Sequence, residues 1–274
     1  MCGSTPVNLG PLDAEMADPL ESTNAKIARA EETADLLLRE VAAFLSAHPT
    51  PFRVTGELRG GKNYVFTAYG SLEVPVRFAV LTGEIMYQLR TALDHLLSAL
   101  VLANATLPTD KHQFPIASTA EKFAAAVKRG DIKGVAASAA KQIEALQPFQ
   151  PSVTEPALLN LLREFNNTDK HRALIVVGGG AAMANELVIQ EADRAMSIVG
   201  MSPPHLKRIT PAGTDFFEIN LGEPHEIFRA SLGCRPNVVI GNLPPLDCAS
   251  VDEVVATMIA FVKHIVGQFG AEFR

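Results

Sequence analysis

Apolar positions recur at helical spacing through Ile27, Ala30, Ala34, Leu37, Leu38, Val41, Phe44 and Leu45. Ser22 or Thr23 offers an N-cap hydroxyl to that helix, and His48-Pro49 ends it, because a residue before proline avoids the α region. The pattern then alternates. Phe52–Leu58 and Asn63–Tyr69 read as two strands joined through Gly60-Gly61, a hairpin turn pair. Helical spacing returns with Phe78, Leu81, Ile85, Leu89, Leu93, Leu96 and Leu100, which predict a long helix over 76–103. Asn104–Pro115 reads as a polar loop. Thr119–Arg129 and Val135–Leu146 read as shorter helices split at Gly130-Asp131. A further helix begins near Thr154, with Pro156 in its first turn, and runs through Leu158, Leu159, Leu161, Leu162 and Phe165.

Beyond Arg172 the texture becomes β-like. Ala173–Val177 reads as a buried strand ended by Gly178-Gly179-Gly180, and Glu186–Glu191, Phe216–Leu221, Glu226–Leu232 and Asn237–Ile240 are further strand candidates. Ser250 is an N-cap candidate for a last helix reaching Phe269, with Val251, Val254, Val255, Met258, Phe261, Val262, Ile265 and Val266 on its apolar face. These elements predict an α+β fold. Residues 1–20 form a flexible lead-in. Residues 21–174 form a predominantly helical core, a bundle with a β-hairpin near 52–69. Residues 175–274 form an antiparallel β-rich segment ending in a helix, packed as its own unit or as one domain with the core.

Composition narrows the class of protein. With 274 residues, 47% of them hydrophobic, the chain has enough apolar material for a full core. A net charge of -6 argues against a general nucleic-acid binder, while leaving room for a local basic patch. Cys2, Cys234 and Cys248 form no C-x-x-C pair, which argues against a disulfide framework or a thiolate zinc site. The opening residues lack the pattern of a secretory signal, and the greasy run Leu93–Leu102 is too short to span a bilayer. A cytoplasmic protein with no membrane partner is the expectation.

Two polar clusters interrupt the apolar helices. On a wheel of about 100° per residue, Tyr87, Arg90, Thr91, Asp94, His95 and Ser98 share one face, with Arg90 and His95 at its edges about 140° apart. The second cluster is Asn166-Asn167-Thr168-Asp169-Lys170-His171-Arg172. Each has a bland reading. Arg90 and Asp94 are an i, i+4 pair, and Lys170, His171 and Arg172 answer the negative end of a helix dipole. Each also has a chemical one. Histidine exchanges protons near neutral pH, arginine forks onto phosphate, and cores rarely hold so many polar groups unless they satisfy one another or line a cleft. The expectation is that the clusters face each other. Asp169 would pair with Arg90 or orient His95, and Lys170 and Arg172 would neutralise a phosphate. Asp94, His95, Asp169 and His171 are metal-competent types, yet no H-x-x-x-H or H-E-x-x-H spacing exists, so neither metal nor cofactor is expected.

Arg90-Thr91-Ala92-Leu93-Asp94-His95 resembles the R-x4-6-H signature of HEPN-type helical domains, many of them metal-independent RNases of toxin, CRISPR and antiphage systems. Thr91 stands where many of those RNases carry Asn, Asp or His. Four longer strings, Gly83 to His95, Gln113-Phe114-Pro115-Ile116, Leu146-Gln147-Pro148-Phe149-Gln150 and Asn167 to Arg172, resemble a family of uncharacterised bacterial and phage-associated proteins over roughly residues 75–175. The HEPN resemblance implies a homodimer that cleaves RNA, or an inactive relative. Arg90, His95 and Asp94 would be catalytic, and Tyr87, Asn166, Asp169, Lys170, His171 and Arg172 would hold the substrate. The other reading is a non-catalytic binding protein whose polar cleft takes a nucleotide, another anion or a partner chain.

Overall fold

The computed structural model describes residues 18–151, 155–171, 176–203, 205–241, 243, 246 and 248–273. In chain order the elements are α1 (Glu21–Ala47), β1 (Arg53–Arg59), β2 (Asn63–Tyr69), α2 (Val76–Ala103), α3 (Ala120–Arg129), α4 (Ala137–Ala145) and α5 (Glu155–His171). There follow β3 (Val176–Ala192), β4 (Ile198–Met201), β5 (Lys207–Arg208), β6 (Thr214–Leu221), β7 (Phe228–Ile240) and α6 (Val251–Gln268), with a closing 3₁₀ turn over Gly270–Phe273. Most of the predicted lead-in and residues 173–175 of the predicted strand lie outside the described residues.

The expected helical bundle is not what forms. The fold is mixed α/β, with two antiparallel sheets beside the helices. One sheet has the order β1-β2-β6-β4 and the other β5-β3-β7. The hairpin does not sit on a helical core as an ornament. Its second strand pairs with β6, from Asn63↔Asn220 to Ala68↔Thr214, so early and late parts of the chain share a sheet. No local pattern announces such a pairing, because alternation marks a strand without naming its neighbour.

A second correction concerns Gly178-Gly179-Gly180. They do not end a strand but lie inside β3, which pairs with β7 from Val176↔Ile240 to Ala192↔Phe228. The lack of a side chain is what this stretch needs. A Cβ on Gly178 would stand 2.5 Å from that of Leu72, and one on Gly180 would stand 2.5 Å from the Cys234 sulfur. Here glycine permits close approach rather than a turn.

Two apolar clusters result. Between the sheets lie Phe66, Phe216, Phe217, Ile219, Leu221 and Phe228, with the Tyr64 hydroxyl satisfied by the backbone of Ala230. The helical cluster is centred on α2, whose Ile85, Leu89, Leu93 and Leu96 are fully buried against α1, α5 and α6. Val238 and Ile240 of β7 reach into that cluster, joining sheet to helices. Ser250 stands at the expected N-cap position of α6, but its side chain makes no cap bond there. A cap the pattern did not name is made at α3, where Thr119 accepts from the Lys122 amide and Gly130 closes the helix in the left-handed region at φ 98. α1 starts earlier than expected, with Leu20 rather than Ser22 or Thr23 at the N-cap, so Ser22 falls inside its first turn and bonds elsewhere.

Candidate functional site

The polar face of α2 splits between two neighbours. On one side, Arg90 and Asp94 grip the segment after the 104–112 loop. The Arg90 Nη2 donates to the Phe114 carbonyl at 2.7 Å and lies 3.1 Å from Asp94 Oδ1. That same carboxylate oxygen accepts the Phe114 amide at 2.8 Å. One ion pair thus satisfies both backbone groups of a residue whose ring is fully buried. Gln147, 0% exposed, does the same further along. Its amide nitrogen donates to the Pro115 and Ile143 carbonyls, each at 2.9 Å, and its oxygen accepts the Ala117 amide at 2.8 Å. The Gln113 amide donates to the Asp131 carbonyl. Three of the motif strings therefore converge on residues 113–117, which are held in place from α2, from the end of α4 and from the turn after α3.

Beside this segment opens a hollow of about 360 Å³. α2 contributes Arg90, α3 contributes Lys122 and Arg129, and α5 contributes Arg163, Asn166 and Asn167. Asp131 is the one carboxylate among the lining residues. It is buried and held by Arg129 through Nε at 3.0 Å and Nη2 at 2.5 Å. Arg163 donates from Nη2 to Asn160 and Glu164 on its own helix. Asn166 is buried and donates to the Leu162 carbonyl. Arg90, Arg129 and Arg163 are ion-paired, with Asp94, Asp131 and Glu164, so the wall is rich in cations but only mildly positive, its excess coming from Lys122.

Arg90 is the central feature. Its side chain is only 13% exposed, and burial lowers the guanidinium pKa from its ordinary value while Asp94 opposes that shift. Its Nη1 is buried with no hydrogen-bond partner, and so is the Nε of Arg163. An unmade bond at a charged donor costs more than the 1–3 kcal/mol or so of a neutral group. Both atoms belong to residues that line the hollow, yet neither has accessible surface, so neither faces its open space.

On the other side of α2, His95 leaves this hollow. Its Nδ1 lies 2.5 Å from the Ser22 hydroxyl of α1. Burial lowers its pKa, the nearby Lys26 adds to the effect, and Asp94 opposes it. Arg90 and Asn166, from the two predicted clusters, meet at the hollow, whereas His95 is not among its lining residues. Tyr87 is 51% exposed and also stands away from it. The Asp169, Lys170 and His171 side chains and all of Arg172 lie outside the described residues, as do the pairings expected of them. Among the described residues no group of three His, Cys, Asp or Glu side chains could hold a metal ion, and no helix is long and apolar enough to cross a membrane.

The motif reading missed Lys122, Arg129, Asp131 and Arg163. For Arg163 a signal existed: it precedes Asn166 by three residues and so shares its helix face. For Asp131 none did, since next to Gly130 it reads as a helix break. No protein-family model, curated protein or solved structure matches the chain.

Proposed function

We propose that the chain is a binding protein for a phosphate-type anion, seated in the hollow between α2, α3 and α5. The observation that carries this reading is the gathering of Arg90, Lys122, Arg129 and Arg163 around one hollow, two of them with a buried donor left without a partner. A tetrahedral oxyanion supplies several acceptors at once, and charge-assisted bonds to guanidinium are the strong ones. Lys122 and Arg129, both exposed, can bond it directly, and the Arg90 Nη1 and Arg163 Nε can reach it by a shift of their side chains. Cleavage of a phosphodiester asks for Arg90 and His95 at one phosphate. Within one chain they turn to different neighbours, which favours holding an anion over cutting one.

Titration calorimetry with inorganic phosphate and pyrophosphate tests this. Wild-type protein should bind pyrophosphate with a Kd below about 1 mM. Binding should weaken as salt rises, since Lys122 and Arg129 are exposed. Arg163→Gln should weaken binding about tenfold, the loss of one charge-assisted bond. Absence of binding to either anion at low salt would overturn the proposal.

A further inference from the structure

We infer that the anion is the phosphate of a phosphorylated pentose, whose hydroxyl groups Asp131 receives. The inference rests on the anion-binding reading above and goes one step beyond it. Its first support is size. A hollow of about 360 Å³ lies at the small end of the roughly 300–1,000 Å³ that small-molecule sites span. A bare phosphate, with five non-hydrogen atoms, would leave most of that space to solvent. A pentose phosphate has fourteen and fills more of a hollow that is open on one side.

Its second support is the carboxylate itself. Asp131 lines a hollow otherwise built for negative charge, and its side chain is only 6% exposed. A carboxylate there repels a bare anion. Arg129 already offsets that charge, and a ligand that brings hydrogen-bond donors would use what acceptor capacity remains. Each Asp131 oxygen accepts one bond from Arg129, and an ionised carboxylate has about four acceptor sites, so capacity for hydroxyl donors remains. The placement is fixed by the backbone. The Asp131 carbonyl holds the Gln113 amide, and Arg90 holds the neighbouring Phe114. The phosphate donors and the hydroxyl acceptor thus flank one dipeptide. The amides of Gln113 and Asn167, which donate and accept alike, suit the remaining hydroxyls.

The free sugar phosphate and a nucleoside monophosphate share this chemistry, and a ligand series separates them. Affinities of the full chain for inorganic phosphate, ethyl phosphate, ribose 5-phosphate and adenosine 5′-monophosphate would be measured by calorimetry at low salt. Ribose 5-phosphate should bind at least about tenfold tighter than the first two, a typical return for hydroxyls on a buried carboxylate. A further gain with the nucleotide assigns the base to the mouth of the hollow; equal affinity assigns the sugar phosphate alone. Asp131→Asn should lower ribose 5-phosphate affinity while raising that for inorganic phosphate. Equal binding of inorganic, ethyl and ribose phosphates to the wild-type protein overturns the pentose assignment and leaves the anion reading standing. Failure of all four to bind overturns both. The wild-type series decides the matter even if Asp131→Asn does not fold.

Discussion

Arg90 and His95 sit little more than one helical turn apart on the same polar face of α2, yet the structure treats them differently. Arg90 lines an open hollow and keeps a buried donor unspent, while the imidazole of His95 is bonded to Ser22 on the next helix. The difference lies in what packs beside each. The extended segment 113–117 has no helix of its own to satisfy its backbone, so α2 and Gln147 supply the bonds and a gap remains beside them. α1 lies directly against α2, and its Ser22 bonds the half-buried His95. A shared helix face is therefore no proof of a shared site.

Substitutions on the two sides should differ accordingly. The largest effect belongs to Arg90→Ala. It removes the buried donor, the grip on Phe114 and the ion pair with Asp94. Anion binding should vanish, and stability should fall by on the order of 3 kcal/mol, as when a buried ion pair loses one partner; calorimetry and urea unfolding report the two losses. Next comes Gln147→Leu. It strands the Ala117 amide and the Pro115 carbonyl in an apolar core, which should cost about 2 kcal/mol or more. Binding should weaken as well, because residues 113–117 form a wall of the hollow. If Gln147→Leu unfolds more easily but binds as before, the hollow does not depend on that segment.

Arg90→Lys should be milder. It keeps the charge and loses the fork, so Phe114 can be held or the anion reached, but not both at full strength. The smallest effect belongs to His95→Asn, which should leave anion affinity unchanged. Its mark should be on pH dependence. The folded state holds the His95 pKa below its unfolded value of 6.5. The unfolded chain therefore binds more protons as pH falls through 6.5, and stability drops there until the folded histidine also titrates. The variant should flatten that slope in melting curves between about pH 7.5 and pH 5. An anion affinity that collapses in His95→Asn would reverse the contrast between the two sides and restore the expectation that both residues serve one phosphate.

Much of the helical layer was legible in the chain. The stripe from Phe78 to Leu100 marks α2, that from Val251 to Val266 marks α6, and Thr119 and Gly130 bracket α3, because helix signals are local in sequence. The hairpin was legible too, through Gly60-Gly61. What stayed hidden depends on contacts between distant residues. The pairing of β2 with β6 turned an expected bundle into a mixed fold, and Gly178 to Gly180 looked like a turn until Leu72 and Cys234 were seen against them. At the site, Arg90 and Asn166 stood out as polar residues on greasy helices. Arg129 and Asp131 did not, because charged residues around a helix-ending glycine are ordinary on a surface. Only the fold buries Asp131 beside the hollow and leaves Arg129 exposed over it.

The most direct test of the account follows the arginine side chains themselves. In ¹H–¹⁵N spectra titrated with pyrophosphate, the Nε–H signals of Arg90 and Arg163 should shift together and saturate at one affinity, while that of Arg59, paired with Asp215 on the sheet, stays in place. Signals of Arg90 and Arg163 that stay fixed, or that move no more than that of Arg59, would contradict it.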